Sequence, residues 1–378
     1  MHVVVAPDKF KGSLTAPEVC QAIERGLRRY DADLQVTTLP LADGGEGSLD
    51  LLISLLGLEV VRQTVNDPLF RPVAAYYGKK GTTAYVELAK ASGLVLLTAE
   101  ERSALSTSTY GTGELIRHAI EHGAREVYLL IGGSASNDAG IGIAQALGYQ
   151  FLDASGNALP PTGASLAQVA TIRFGTSAEY LKNTTVRVIS DVNNPLYGPQ
   201  GAAYVYGPQK GASSEDVTLL DEGLRRIASK MSEFAGQPIE ALPGAGAAGG
   251  VGAGAVTFLR AQLLPGAATL MDLCGAPAAI QRSDLVISGE GKVDQQTLHG
   301  KVIRGVSDAC RAFNVPLGVV CGSLEADEIV LQQLGVWRAY AVKENTMSLA
   351  EAILRAPERT ETLAHQLLED FVREKGKR

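Results

Sequence analysis

The sequence predicts an α/β protein: a doubly wound parallel sheet domain interrupted by an inserted second α/β domain. Short apolar, β-branched segments alternate with helical patterns, and glycine-rich polar loops separate them. Two strand–helix units open the chain and three more close it, while the residues between them are richer in proline and glycine loops. We therefore predict a discontinuous domain at residues 1–66 and 281–378 and an inserted domain at residues 67–280. A division into an N-terminal and a C-terminal half is the alternative.

Five strands of the predicted parallel sheet are placed by their apolar, β-branched residues. They cover residues 3–6, 35–39, 284–288, 317–321 and 339–342. The first helix is predicted at residues 16–30, because Thr15 is a suitable N-cap and Pro17 fits the first turn. A second helix is predicted to begin near Glu46.

The inserted region is predicted to hold strands at residues 84–88, 126–131 and 186–190. The segment from His118 to His122 matches a zinc pattern, but Gly123 follows it, so we interpret it as the last turn of a helix. Residues 244–249 match the dinucleotide fingerprint Gly-x-Gly-x-x-Gly without the strand that must precede it. A phosphate cradle and a tightly packed Gly/Ala helix remain the two interpretations of that segment.

Composition and charge exclude several classes of protein. The formal net charge is −7 and the Lys and Arg residues are scattered, which argues against a nucleic-acid binder. The four cysteines lie far apart, which is typical of small buried side chains in a reducing compartment. The first strand leaves no room for a signal peptide, and no stretch is long enough to span a bilayer. We expect a cytoplasmic protein without membrane partners, and a disordered tail at residues 373–378.

Polar loops follow the predicted strands, and they hold many of the 42 glycines. In open α/β sheets, ligands bind at the carboxyl ends of the strands. The loops at residues 7–13, 42–48 and 289–294 combine glycine with carboxylates, and two of them add lysines. Such loops offer both metal-binding oxygens and phosphate-binding ammonium groups. The inserted region adds three polar loops, at residues 106–113, 132–138 and 191–195.

Taken together, the loop motifs resemble those of the class I glycerate kinase family. They occur in the family order, from residue 6 to beyond residue 290, and read APDKFKGSLTA at 6–16, PLADGGEG at 40–47, GGSASND at 132–138, DVNNPL at 191–196 and GEGKVDQQT at 289–297. Departures from the pattern are mild. Lys292 stands where arginine is frequent, so a compact ammonium group replaces the planar guanidinium group.

The resemblance implies a kinase that transfers phosphate from ATP to D-glycerate, usually giving 2-phosphoglycerate, with Mg²⁺ as the metal. It also implies a flavodoxin-like domain with an inserted domain that has a restriction-endonuclease-like core, and a cleft that closes on the substrate. The chain contains no Walker A sequence, so ATP would be bound in another way. A kinase for another small hydroxy acid and a cytoplasmic organic-acid sensor are the alternatives, and the sequence leaves monomer and homodimer open.

Phosphoryl transfer requires positioning, charge neutralisation and a proton acceptor, and the motif residues are assigned to these tasks as hypotheses. Asp191 is the first candidate for the base and Asp294 the second. The candidate residues are Asp191, Asp294 and Lys11 for catalysis; Lys9, Ser13, Ser134, Asn137, Asn193 and Asn194 for substrate binding; Gly289, Gly291, Lys292 and Thr297 for the nucleotide; and Asp43, Glu46 and Glu290 for Mg²⁺.

Overall fold

A computed structural model describes residues 1–175, 181–298, 302–344 and 346–376. It divides the chain into two compact units. Unit 1 comprises Met1–Asp43 and Pro265–Arg378, and unit 2 comprises Gly44–Leu264.

The described residues form strands and α-helices that alternate along most of the chain. The strands are β1 His2–Val5, β2 Gln35–Thr38, β3 Glu59–Asn66, β4 Pro72–Lys80, β5 Thr83–Glu87, β6 Glu126–Leu130, β7 Tyr149–Leu152, β8 Thr171–Phe174, β9 Thr185–Ile189, β10 Gln262–Leu264, β11 Leu285–Ser288, β12 Lys292–Val293, β13 Leu317–Cys321, β14 Ser323–Leu324 and β15 Val336–Ala341. The helices are α1 Ala16–Tyr30, α2 Ser48–Leu56, α3 Ala89–Ser92, α4 Tyr110–Glu121, α5 Ile141–Ala146, α6 Ala202–Tyr206, α7 Ser214–Ala235, α8 Ala247–Leu259, α9 Gly266–Leu273, α10 Ala276–Ile280, α11 Val302–Phe313, α12 Glu328–Gln333 and α13 Leu349–Lys375.

Unit 1 is built on a five-stranded parallel sheet in the order β15-β13-β11-β1-β2. Counted along the chain, this is the order 2-1-3-4-5, one of the two common orders of doubly wound sheets. The direction of winding reverses between β1 and β11, so the loops after these two strands flank the switch point, where such sheets bind ligands. The five strands predicted for this sheet are confirmed, with ends that differ from the predicted ones by at most three residues.

Helices cover both faces of the unit 1 sheet. Alternate residues of β1 belong to different cores, because successive side chains of a strand point to opposite faces. Val3 and Val5 pack with α1 and α13, whereas Val4 packs with α9, α10, α11 and α12. The start of α1 is the predicted one: Thr15 accepts from the backbone N–H of Glu18, whose carboxylate accepts in return from the N–H of Thr15.

Unit 2 contains a six-stranded mixed sheet in the order β10-β9-β6-β5-β4-β3. Strands β10, β9, β6 and β5 are parallel, and β4 and β3 extend the sheet as an antiparallel hairpin. One core joins this sheet to α4 and α8. A second core lies among α5, α6, α7, α8 and the hairpin of β7 and β8. Helix α4 ends at Glu121 and is followed by Gly123 with a φ of 91°, as predicted for the segment from His118 to His122.

The unit boundaries differ from the sequence-based ones, which lay at 66/67 and 280/281. Residues 44–66 belong to unit 2, because α2 packs against β4 and β5 and β3 pairs with β4. Residues 265–280 belong to unit 1, because α9 and α10 pack against α11. Strand β3 pairs with β4, which begins at Pro72, beyond the predicted boundary at 66/67. Local sequence patterns do not indicate this pairing, so they could not assign β3 to unit 2.

The predicted disordered tail is wrong for residues 373–376. Helix α13 continues to Lys375, whose ammonium group pairs with Asp284 at 3.0 Å. Residues 377 and 378 lie outside the described residues. Over the described ranges of the chain, no helix is both long and apolar enough to cross a membrane.

Candidate active site

Three carboxylates lie on loops at the carboxyl edge of the unit 1 sheet, and the charges of Asp43 and Glu290 act on Asp8. Asp8 follows β1, Asp43 follows β2 and Glu290 follows β11. The backbone N–H of Asp8 donates to the carbonyl of Gly289 at 2.8 Å, which ties the loops on either side of the switch point together. Burial, followed by the charge of Asp43, raises the pKa of Asp8 to about 7, and Glu290 adds to the rise while Lys9 opposes it. The surroundings of Asp8 therefore disfavour its charged carboxylate form.

Glu290 is held in place by a buried hydroxyl. Thr297 donates its Oγ1 proton to Oε1 of Glu290, and both side chains are buried. Position 289 has to be a glycine, because a Cβ there would lie 2.0 Å from the carbonyl oxygen of Val320. Thr297 and Gly289, both assigned to the nucleotide from sequence, thus have structural tasks, and their contact with a nucleotide stays a prediction.

Lys292 and Asp294 form part of an exposed ionic group. The ammonium of Lys292 lies 2.7 Å from Glu325 and 3.5 Å from Asp294, and these partners raise the pKa of Lys292. Asp294 also accepts from the backbone N–H of Gln296 at 2.8 Å, where the short 3₁₀ helix Gln295–Leu298 begins. Turn formation accounts for Asp294 in this structure, and its role as a second candidate base stays a prediction.

The loop after β1 carries the remaining candidates of unit 1. Lys11 is exposed and lines a cavity of about 60 Å³ together with Lys343, Gly291 and the first turns of α13. Ser13 lines the same cavity and donates to the carbonyl oxygen of Ile353 at 3.3 Å. Two lysines and exposed backbone at this edge suit an anionic ligand.

In unit 2, the loop before α2 lies against the loop after β6. A Cβ on Gly132 would lie 2.5 Å from Cα of Gly45, and one on Gly133 would lie 3.6 Å from Cβ of Glu46. Glu87, at the end of β5, is fully buried and accepts from the backbone N–H groups of Gly47 and Leu49. Since a carboxylate there caps the N-terminus of α2, Glu87 fixes the loop that carries Glu46.

The segment from Ser134 to Asp138 is a buried polar loop. The carboxylate of Asp138 accepts from the N–H and Oγ1 of Thr109 at 2.8 and 2.7 Å, and from the N–H of Gly140 at 3.1 Å. Burial nevertheless raises the pKa of Asp138. Among the described residues, no partner bonds either side-chain amide atom of Asn137 or the hydroxyl of Ser136, and both residues are fully buried. Asn137 is therefore the most under-satisfied of the predicted substrate-binding residues.

Lys210 contacts this loop from the short 3₁₀ helix Pro208–Lys210. Its Nζ donates to Oγ of Ser134 at 2.7 Å and to the carbonyl oxygen of Ser136 at 2.6 Å. Sequence reasoning missed Lys210, because nothing local indicates that this lysine is buried among residues seventy positions earlier. It also left out Asp8, although the first carboxylate after the first strand of such a sheet was a usable signal.

The loop after β9 carries three predicted site residues in different surroundings. Asp191 is partly buried and Asn193 is exposed. Asn194 instead stabilises the residues that follow it: its Nδ2 donates to the carbonyl of Gln200 at 2.8 Å, and its Oδ1 accepts from the hydroxyl of Tyr206 at 2.7 Å. Asn194 therefore has a structural task in the loop, and the ligand contacts of Asp191 and Asn193 stay predictions.

The glycine-rich segment at residues 244–254 packs closely in unit 2. A Cβ on Gly249, whose φ is 71°, would lie 2.1 Å from the carbonyl oxygen of Ser136. One on Gly246 would lie 2.1 Å from the carbonyl of Pro195, and one on Gly254 would lie 2.3 Å from that of Ala139. Close packing accounts for these glycines, because they let α8 approach the backbone of two polar loops.

A larger cavity lies elsewhere in unit 2, at the amino ends of β9 and β10. It measures about 590 Å³ and is lined by aromatic side chains, including Tyr149, Phe174 and Phe258, with Lys182 and Arg260. None of the residues predicted for the site lines it. The polar loops of unit 2 that follow β6 and β9 are at the opposite, carboxyl edge of that sheet.

The carboxylates suit Mg²⁺ that arrives with phosphates better than a metal held by protein alone. Over the described parts of the chain, no three His, Cys, Asp or Glu residues are grouped so that they could hold a metal ion. Mg²⁺ usually takes one or two carboxylates, with phosphate oxygens and water completing its octahedron. The raised pKa of Asp8, to which burial and the charges of Asp43 and Glu290 contribute, is the feature that fits a cation at the unit 1 edge.

A doubly wound sheet with carboxylates at its switch point, and a second α/β unit with a buried polar loop, are typical of an α/β enzyme with a small-molecule ligand. A model of the glycerate kinase family matches residues 3–372. The chain belongs to this family and is a kinase.

Curated relatives and a solved structure agree with this assignment. The chain is 39% identical over 369 residues to the glycerate kinase of Bacillus subtilis (strain 168), covering 97% of each chain. It is 41% identical over 354 residues to the glycerate 2-kinase of Escherichia coli (strain K12), covering 93% of each. A crystal structure of a candidate glycerate kinase 2 from Salmonella typhimurium LT2 matches with a TM-score of 0.86 at 38% identity, covering 100% of this chain and 99% of the other.

Proposed function

We propose that this chain phosphorylates D-glycerate with ATP and gives 2-phosphoglycerate and ADP. In a chain of the glycerate kinase family, the observation that carries the proposal is the carboxylate group of Asp8, Asp43 and Glu290 at the switch point of unit 1. Crowded carboxylates beside lysine-bearing loops suit a metal–polyphosphate complex, which brings both a cation and anions. The name of the Escherichia coli relative, glycerate 2-kinase, supports transfer to the 2-hydroxyl.

Asp43 and Glu290 are the residues of unit 1 that would hold Mg²⁺, and Glu46 is the candidate of unit 2. When bound with the nucleotide, Mg²⁺ neutralises charge on the phosphate oxygens. Thr297 fixes the orientation of Glu290 by donating to it, which limits the number of positions that this carboxylate can take.

Lys9, Lys11 and Lys292 would bind the anionic groups of the substrates. Lys11 is exposed and lines the small cavity at the carboxyl edge of unit 1. Lys292 is already paired with Glu325, so it would have to exchange this partner for a phosphate. Lys11 is for this reason the better-supported phosphate ligand of the two, and Gly291 beside it exposes backbone in the same cavity.

Ser134, Asn137 and Asn193 would orient the hydroxy acid in unit 2. Asn137 offers one acceptor and two donors that no described residue uses, and glycerate has both hydroxyl and carboxylate groups to match them. Asp191 would accept the proton of the attacking hydroxyl as its oxygen bonds to the γ-phosphorus and ADP departs. A base at this position is supported by its partial burial directly after β9.

Incubation with ATP, Mg²⁺ and D-glycerate, followed by ³¹P NMR, tests the function. We expect a new phosphomonoester signal whose proton coupling shows attachment at C2, with a matching amount of ADP. L-Glycerate, glycolate and D-lactate serve as control substrates and should give less product. Absence of any phosphoester from D-glycerate contradicts the proposed function, and coupling to the C3 protons contradicts the proposed product.

A further inference from the structure

A buried lysine is bonded to the polar loop of unit 2. The side chain of Lys210 is 2% exposed, although it carries an ammonium group. Its two hydrogen bonds go to Oγ of Ser134, at 2.7 Å, and to the backbone carbonyl of Ser136, at 2.6 Å. Neutral oxygens compensate a buried charge poorly, so a lysine here costs stability that an apolar residue would not.

Asp138 is the ionisable group that acts on Lys210 through space. Its negative charge favours the ammonium form, but desolvation is the larger effect and lowers the pKa of Lys210 to about 7. Asp138 itself accepts hydrogen bonds from Thr109, Gly140 and Gly142, which hold its carboxylate in place. A further negative charge near Lys210 would therefore raise its pKa and favour the ammonium form.

The chemistry of the lysine determines what the Ser134 hydroxyl can do. An ammonium group only donates, so Oγ of Ser134 accepts from Lys210 and keeps its own proton for another acceptor. Ser134 is 5% exposed and is preceded by Gly133, which is exposed. The hydroxyl is therefore at the point where the buried loop meets the surface of unit 2.

A second, independent observation indicates a ligand at this loop. Both amide atoms of Asn137 and the hydroxyl of Ser136 are buried without a hydrogen-bond partner among the described residues. Native proteins rarely leave such atoms unsatisfied. A small ligand with oxygen acceptors and hydroxyl donors would satisfy them.

We propose that Lys210 is a positioning residue of the kinase reaction: by donating to Ser134 and Ser136, its ammonium group turns the Ser134 hydroxyl proton toward an oxyanion of a bound substrate. The oxyanion is the carboxylate of the hydroxy acid or a phosphate of the nucleotide. This inference rests on the proposed function. It adds a cation to unit 2 that supports binding without touching the substrate.

Substitutions at both ends of the Lys210–Ser134 hydrogen bond test the proposal. Lys210→Met keeps the length of the side chain and removes the charge, and we expect KM for D-glycerate or for ATP to rise about tenfold, with a smaller change in kcat. Ser134→Ala should raise the same KM by a similar factor, and the double variant should add little, because both changes remove one interaction. Lys230→Met is the matched control, since Lys230 is a surface lysine that pairs with Glu233.

The stability of the variants separates positioning from folding. Removal of a buried charge should leave the melting temperature of Lys210→Met unchanged or higher at pH 6. A purely structural lysine would instead lower it together with kcat. If Lys210→Met fails to fold, Ser134→Ala still tests the interaction, because it leaves the lysine in place.

The pH profile gives a readout that a structural role would not move. Since an oxyanion at Ser134 favours the ammonium form, the wild-type KM for the affected substrate should rise about tenfold from pH 6 to pH 8, as Lys210 loses its proton. In Ser134→Ala this rise should be absent. The substrate whose KM responds identifies the oxyanion.

Two negative outcomes are distinguishable. Wild-type protein that does not phosphorylate D-glycerate contradicts the proposed function. Wild-type protein that does so, while Lys210→Met and Ser134→Ala retain both KM values and their pH profiles, overturns the role of Lys210.

Discussion

Single residues at the carboxyl edges owe their properties to burial and neighbouring charge. Asp8 is an ordinary aspartate in the sequence, but burial and the charges of Asp43 and Glu290 raise its pKa to about 7. Lys210 shows the converse case, with a lysine pKa lowered by desolvation. Both groups lie where a ligand of opposite charge would be stabilised.

Asp191→Asn should abolish most turnover while leaving the fold intact. Asparagine keeps the shape of the side chain but cannot accept the hydroxyl proton, and loss of a general base usually costs a factor of about 10² to 10⁴ in rate. Steady-state kinetics with D-glycerate and ATP should show a fall in kcat of at least about 100-fold, and circular dichroism should be unchanged.

Two companion variants sharpen this test. Asp33→Asn changes an exposed carboxylate in the turn before β2 and should leave kcat unchanged. Asp294→Asn keeps the acceptor for Gln296 and should retain most activity. If Asp191→Asn retains kcat within a few-fold while Asp294→Asn is inactive, the base is Asp294.

Mg²⁺ should stabilise the wild-type protein through the unit 1 carboxylates. At pH 8 and with the same concentration of ATP present, we expect millimolar MgCl₂ to raise the melting temperature more than NaCl of equal ionic strength, because a divalent cation bound with the nucleotide offsets the charges of Asp43 and Glu290 that act on Asp8. Asp8→Asn should raise the unfolding free energy without Mg²⁺ by about 1–2 kcal/mol and reduce the gain from Mg²⁺. Equal effects of the two salts on the wild type would exclude specific binding.

At the scale of elements, the start of helix α8 packs closely against the backbone of a polar loop of unit 2 and positions it. Helix α8 begins with residues of positive φ, including Gly249 and Gly250, and runs against the backbone of the loop from Ser136 to Gly140. A glycine-rich helix start is therefore a packing surface in this protein. It holds the loop that carries the buried side-chain atoms of Asn137 and Ser136, which have no hydrogen-bond partner among the described residues.

Gly249→Ala should destabilise the protein and disturb this loop. The new Cβ would lie 2.1 Å from the carbonyl oxygen of Ser136, so one of the two backbones must move. We expect a loss of about 2–4 kcal/mol in urea unfolding and a higher KM for D-glycerate.

Gly236→Ala is the matched control for this substitution. Its φ of 69° is close to the 71° of Gly249, but nothing lies within 4 Å of its added Cβ. It should lose only about 1–2 kcal/mol, the cost of a left-handed conformation. Equal losses in the two variants would show that the contact with Ser136 is unimportant.

At the scale of the whole molecule, one unit is continuous in sequence and the other is not. Unit 2 has its own sheet and two cores within residues 44–264. Unit 1 needs both ends of the chain, because β1 pairs with β11 across more than 280 residues. The two units should therefore respond differently to truncation.

A fragment of residues 44–264 should fold alone and unfold cooperatively. A fragment of residues 67–280 is the informative comparison: it lacks α2 and β3, leaves β4 as an unpaired edge and adds helices that belong to unit 1. We expect the second fragment to be less stable or to aggregate. Thermal unfolding followed by circular dichroism compares them, and equal stability would contradict the boundaries at 43/44 and 264/265.

The sequence by itself determined the α/β class, the five strands of the unit 1 sheet, the capped start of α1 and the family. These features depend on local patterns and on motifs that are contiguous in the chain. Most of the candidate site residues were predicted on loops after strands, and the structure has these loops there, since a correctly placed strand also locates the loop at its carboxyl end. The roles of these residues stay predictions.

Only the tertiary structure decided which of these residues act on one another. The charges of Asp43 and Glu290 act on Asp8, and Lys210 is buried against Ser134, although these residues are remote in sequence. Asn193 and Asn194 are neighbours of the same residue type, and only the structure shows that Asn194 is bonded within its own loop. The unit boundaries follow the same rule, because β3 and α9 take their unit from distant partners. Desolvation and charge interaction depend on distance in space, and a chain specifies that distance only when it is folded.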